Sequence, residues 1–249
     1  MMERLLSLMS TLRARWQTRS VVLHAPAHGP GEPSAIEAGV QALSEWLAAH
    51  PGGSLEVGLS ARWLLCAATP QATTAQQATE DAVRQWSHYL GLDEASLPDE
   101  WVCMPVMAPG VRMVCAAPRA LIEGLQEVAR QHGVRLQAVL PWWAFDMQAQ
   151  LRRASLPDDQ VDQVAPVDAL EWAWIEPGWC TRVTARRQEP EQGAPWLLDR
   201  IWMAPAEDEG SMRGVAIVAS LPSPDQGLAT SAQCWDGADV ARLLRGVPA

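Results

Sequence analysis

The chain has 249 residues, 48% hydrophobic and 19% charged, with a formal net charge of −10, which suits a folded chain with a substantial core and excludes disorder as the default. The negative charge also disfavours a generic nucleic-acid binder, whose affinity comes from neutralising phosphates. All 19 basic residues are arginine, so a P-loop lysine, a Schiff-base lysine and a kinase-type phosphate lysine drop out together.

In chain order, residues 3–16 place Leu5, Leu8, Met9, Leu12 and Trp16 on one helical stripe with the arginines off that face. The segment has two readings: a helix docked on its own domain, or a basic amphipathic helix lying on an anionic membrane or in a partner's groove. Arg4, Arg13 and Arg15 interrupt it and no small-residue cleavage site follows, which makes a poor signal peptide. A short strand is predicted over 21–23, and 24–33 is a Pro/Gly loop that marks a boundary. Ser34 caps a predicted helix reaching about residue 49, ended by Pro51-Gly52-Gly53.

Residues 55–59 and 62–68 then read as a β-hairpin, 75–90 as a helix stopped by Gly91, and 101–107 with 111–117 as a hairpin through Pro109-Gly110. Pro118 fits the first turn of a helix that reaches residue 131 and stops at Gly133. A strand over 134–140 and a helix from Pro141 to about residue 153 follow. Further on, strands over 170–175 and 180–185 flank a turn at Pro177-Gly178. A helix is predicted over 196–203, a strand over 215–219 and a last helix over 238–245. No stretch is apolar for long enough to span a membrane as a helix. Hairpins followed by strand-helix units predict an α/β fold of mixed sheets flanked by helices. The predicted organisation is an N-terminal basic helix and linker over 1–33, a first lobe over 34–155 and a reduced second lobe over 156–249.

The isolated chemical groups favour structural roles. Cys66, Cys103, Cys115, Cys180 and Cys234 are odd in number and lack C-x-x-C spacing, which fits a reducing compartment. His24 and His28 share a loop rather than a helix face, so no metal site is expected. His50 and His132 fall at predicted helix C-termini, where they complement the dipole, and His88 on a helix surface. Asp158, Asp159 and Asp162 read as a solvated helix start, and Gly58-Leu59-Ser60-Ala61-Arg62 is not a nucleophile elbow. The 13 tryptophans read mainly as core, with Trp172 and Trp174 on one strand face, although exposed tryptophans could also stack on a carbohydrate. Trp16, Trp142 and Trp143 are the candidate partner-binding anchors.

Leu55-Glu56-Val57-Gly58-Leu59-Ser60, Arg112 to Pro118, Leu121-Ile122 through Gly133-Val134 to Pro141, and Glu171-Trp172-Ala173-Trp174-Ile175-Glu176-Pro177-Gly178-Trp179 together resemble actin-like cytoplasmic assembly proteins. The family comprises the M-type proteins of bacterial type IV pili and the cytoplasmic part of the L-type proteins of type II secretion, and the likeness spans about residues 55–187. The resemblance implies a duplicated actin-like, ribonuclease-H-like fold with an eroded second half, working as a scaffold at the cytoplasmic face of the inner membrane. In ATP-binding relatives of the actin and sugar-kinase type, an Asp-x-Gly turn in each half brings backbone N–H groups and a metal-binding acid to the phosphates. Here those turns read Glu56-Val57-Gly58 and Glu176-Pro177-Gly178, with a longer acid and, at Pro177, no N–H donor.

The expectation is therefore a non-catalytic pseudo-ATPase with no catalytic, cofactor or metal residues. It is expected to be cytoplasmic, with peripheral membrane contact through its N-terminal helix, and a homo-oligomer is compatible with it. Leu5, Leu8, Leu12, Trp16, Trp142 and Trp143 would bind inner-membrane pilus or secretion assembly proteins. The alternative is an ATP-binding or kinase-like enzyme of the same superfamily that uses Glu56 and Glu176.

Overall fold

The computed structural model describes residues 18–24, 33–144, 147, 151, 169–187, 196–205, 216–220 and 233–236. The stripe Leu5, Leu8, Leu12 and Trp16, the acids Asp158, Asp159 and Asp162, and the helix predicted over 238–245 lie outside the described residues.

Strand β1 (Thr18–His24) carries the run Val21-Val22-Leu23, buried on both faces. Val21 and Leu23 point into one core and Val22 into another, as the two-residue period of a strand requires. It pairs in parallel with β2 (Ser54–Leu59), which pairs in parallel with β6 (Arg135–Pro141). On its other side β1 meets β11 (Gln233–Asp236) antiparallel, giving the order β11-β1-β2-β6. Sheet membership therefore crosses the boundaries read at residues 33 and 155.

Two helices cover one face of this sheet. Helix α1 (Pro33–Ala49) turns Ala35, Gly39, Leu43 and Leu47 inward. Helix α4 (Arg119–Gln131) buries Leu121, Ile122, Leu125, Val128 and Ala129. Close approach depends on two glycines. A Cβ on Gly39 would stand 2.7 Å from the Trp63 ring, and one on Gly124 2.5 Å from Val40 Cγ2. His50 stacks on Trp46 and His132 meets the Ser44 hydroxyl at 3.2 Å, both at helix C-terminal ends.

A second sheet, β3 (Leu65–Ala68), β5 (Val111–Pro118) and β4 (Trp101–Ala108), is antiparallel in the order β3-β5-β4. One face receives helix α2 (Ala75–Leu90) through Ala78, Ala82 and Trp86, together with Leu97 of the short α3 (Leu97–Glu100). Thr74 caps α2 by accepting from Gln77 N–H at 3.1 Å, and Gly91 ends it at φ 68°, as the sequence predicts. Pro105 sits on β4, an edge strand, where a missing N–H costs no ladder bond.

The third sheet has the order β10-β7-β8-β9. β7 (Ala169–Glu176), β8 (Trp179–Arg187) and β9 (Trp196–Pro205) form an antiparallel meander, and β10 (Ala216–Ser220) runs parallel to β7. Trp172, Trp174, Val183, Ala185, Trp196 and Leu198 line its inner face and pack on Val111, Met113 and Cys115 of β5.

Three expectations are corrected. Residues 55–68 are not a hairpin: β2 and β3 belong to different sheets, because both edges of β2 are taken by β1 and β6. Residues 196–203 are strand, not helix. A bulge at Asp199 shifts the register between Thr184 and Ala185, so inward positions pass from Trp196 and Leu198 to Ile201, and the alternation is broken in the sequence. Trp142 and Trp143 present no surface: each is 0% exposed, within the core between the sheets.

Candidate functional site

β1, β2 and β6 run side by side and end together at His24, Leu59 and Pro141. In an open α/β sheet the crevice outside such carboxyl ends is the usual seat of a ligand. Here the ladders run one residue further: Ser60 N–H donates to Leu23 O and Trp142 N–H to Leu59 O, each at 3.0 Å.

After β2 the chain makes a single 3₁₀ turn over Ala61–Trp63. The buried Ser60 hydroxyl caps it, accepting from Arg62 N–H at 3.2 Å. That cap leaves Ala61 N–H directed away from the turn. Glu176, the last residue of β7, accepts this N–H through Oε1 at 2.9 Å, and its Oε2 lies 3.6 Å from His24 Nδ1 at the end of β1. Glu176 is 1% exposed and His24 5%.

The reverse contact comes from Arg62. Its guanidinium reaches Gly178 O at 3.4 Å and lies 5.5 Å over the Trp179 ring. Gly178 has φ 69°, and a Cβ there would stand 2.8 Å from Arg62 Nη2. The turn after β2 and the β7–β8 turn are thus interlocked through a carboxylate on a backbone N–H and a guanidinium on a carbonyl. Burial raises the Cys180 thiol just beyond this turn, against the lowering pull of Arg182.

Glu56 has a different place. It is half-buried in the middle of β2, accepting from the Ser20 hydroxyl at 3.4 Å. Ser20 precedes His24 by four strand positions, about 13 Å at the usual rise of about 3.3 Å per residue. The two glutamates read from the sequence as a pair therefore sit at different levels of the sheet. His24 and Ala61, the partners of Glu176, were not read as site residues. Ala61 lies 115 positions from Glu176, and no local pattern signals such a contact.

Among the described residues no group of three or more His, Cys, Asp or Glu side chains is arranged to hold a metal ion. A depression of about 360 Å³ lies elsewhere, beside α2, where Thr69, Gln71, Arg84, His88 and Tyr89 line it and Asp81 is ion-paired with Arg84. No described helix is long and apolar enough to cross a membrane.

No family model and no curated protein sequence matches the chain. Among solved structures it is similar to the cytoplasmic domain of EpsL, an inner-membrane component of the type II secretion system of Vibrio cholerae. That likeness has 11% identity, covers 82% of this chain and 84% of the other, and has a TM-score of 0.40. A second is the PilM–PilN type IV pilus biogenesis complex, at 17% identity over 70% of this chain, with a TM-score of 0.41. The chain spans 49% of the pilus chain it matches. A third is a Bacteroides thetaiotaomicron protein with an actin-like ATPase fold, at 7% identity over 80% of this chain and 74% of that one, with a TM-score of 0.45. The first two are of the kinds that the sequence resembles.

Proposed function

We propose that this chain is a non-catalytic, actin-like scaffold at the cytoplasmic face of an inner-membrane type IV pilus or type II secretion-like assembly, acting through protein contacts. The single observation that carries the non-catalytic reading is Glu176: the acid that a nucleotide site would present is 1% exposed and hydrogen-bonded to Ala61 N–H. The assembly reading rests on the residue pattern over 55–187. On this view the fold is a duplication with an eroded second half, and among the described residues every helix lies before residue 152. The lobes are 34–155, joined by β1, and 156–249, joined to the first through β11. Attachment falls to the stripe Leu5, Leu8, Leu12 and Trp16, which also supplies any contact with lipid.

Two measurements test the proposal. Millimolar Mg-ATP is expected to leave thermal unfolding unchanged; binding at a hundredfold excess over Kd would add about 2.7 kcal/mol and end the non-nucleotide reading. Full-length protein used as bait in detergent extracts of the source cell's membranes is expected to recover inner-membrane pilus or secretion components. Recovery of soluble metabolic enzymes alone overturns the assembly reading.

A further inference from the structure

Two thiols meet across the second sheet. Cys66 on β3 and Cys115 on β5 are directly opposite in the antiparallel register, with their Sγ atoms 3.4 Å apart. The phase of the ladder follows from one bond: Thr69 N–H donates to Arg112 O at 2.8 Å, so residues 69 and 112 form a hydrogen-bonded pair. Stepping back along the register, 68 with 113 is a non-hydrogen-bonded pair, 67 with 114 a hydrogen-bonded one, and 66 with 115 again non-hydrogen-bonded. In such pairs the Cα atoms stand about 4.5 Å apart and the side chains are closest. A disulfide needs Cα atoms about 4.4–6.8 Å apart. The backbone therefore admits a bridge here without moving either strand. The other described thiols lack this arrangement, since Cys103 faces Ala116 and Cys180 faces Ile175 and Ala204.

Access is one-sided. Cys115 is 0% exposed and Cys66 half-buried, so a small reagent reaches Cys66 first. Burial, and then the contact with Cys115, pushes the Cys66 thiol well above its ordinary value, which slows its reaction at neutral pH.

We infer that Cys66 and Cys115 form a modification site, a cross-strand dithiol that hydrogen peroxide converts to an intramolecular disulfide. Cys66, as thiolate, attacks a peroxide oxygen and becomes a sulfenic acid, and the displaced hydroxide leaves as water with the thiol's proton. Cys115 sulfur then attacks the sulfenic sulfur, and its proton departs with the hydroxyl as a second water. Two thiols and one peroxide give one disulfide and two waters, with two electrons passing from sulfur to oxygen. The bond ties β3 to β5 and closes a loop containing α2 and β4. This site is independent of the scaffold reading and stands if that reading fails.

The test uses the folded full-length protein, treated with hydrogen peroxide, blocked with iodoacetamide in denaturant and cleaved after arginine. Each cysteine falls in its own peptide, with Cys66 in 63–84, Cys103 in 85–112 and Cys115 in 113–119. The expected product links 63–84 to 113–119, forms several-fold faster at pH 9 than at pH 7, melts at higher temperature than the reduced protein, and reverts with dithiothreitol. Cys103→Ala is expected to leave the link intact and Cys66→Ser to abolish it. Sulfinic acid at Cys66 with no linked peptide, or a link from Cys66 to Cys103 in folded protein, overturns the inference. Because the mapping is read on the unaltered chain, it holds even where a variant does not fold.

Discussion

Glu56-Val57-Gly58 and Glu176-Pro177-Gly178 are one pattern with two outcomes. In the first, β2 runs on through Gly58, because Gly58 is paired on both sides, with Val22 of β1 and Leu140 of β6. In the second, Pro177 offers no N–H to continue a ladder and Gly178 takes a left-handed φ, so the chain reverses. Strand partners, not the tripeptide, decide whether an acid rides mid-sheet or is driven into a junction. Glu56 remains half-exposed on β2, while Glu176 is carried into contact with Ala61 and His24.

The largest effect is expected beneath the second turn. Trp174, fully buried on the same strand face as Glu176, supports it, and Trp174→Ala should cost about 3–5 kcal/mol by urea unfolding. A loss below about 1 kcal/mol would mean that the turn does not depend on the core below it. Next come the two acids. Glu176→Ala leaves the buried Ala61 N–H without its acceptor and should cost about 1–3 kcal/mol. Glu56→Ala should fall within about 0.5 kcal/mol. Equal losses would erase the distinction between the two sites.

Gly178→Ala should cost about 1 kcal/mol through its left-handed backbone, with the Arg62 side chain swinging aside. A third carboxylate sharpens the scale at its weak end. Glu127 is exposed on α4, and hydrogen bonds from Arg130, then Gln131, hold its carboxyl at about 2 rather than its ordinary 4.5. A lowered folded value stabilises above the ordinary value, and that contribution fades as pH falls from about 4.5 towards 2. Melting curves of Glu127→Gln and the parent should therefore differ slightly near pH 5 and converge near pH 2, with the solvent around this pair keeping the difference small.

What was legible in the sequence is what neighbours along the chain decide. Helix α2 between Thr74 and Gly91 and the hairpins turning at Gly110 and Gly178 carry their punctuation within a few residues, and all three stand as read. The errors lie where a distant partner overrides local pattern. Nothing near residue 60 announces that β1 and β6 will take both edges of β2 and send β3 to another sheet. The bulge at Asp199, tied to Arg186 at 2.9 Å and Arg200 at 3.7 Å, breaks the strand's period and imitates a helix. Trp142 and Trp143 begin a turn, a place usually wet, and are dry because the third sheet folds over them. At the junction, Glu176 is legible because Glu176-Pro177-Gly178 stands where the resemblance places an Asp-x-Gly turn. His24 and Ala61 are not, since a histidine at a strand end and an alanine N–H are ordinary.

The pairing of β1 with β11 bears on how the molecule is made. Val21 lies against Asp236, more than two hundred residues later. A nascent chain leaving the ribosome can complete the second sheet, whose strands all lie within residues 65–118, long before the first has its outer strand. The first sheet must wait until Asp236 has been translated, and a stall before that point leaves β1 with one edge unsatisfied and open to a chaperone.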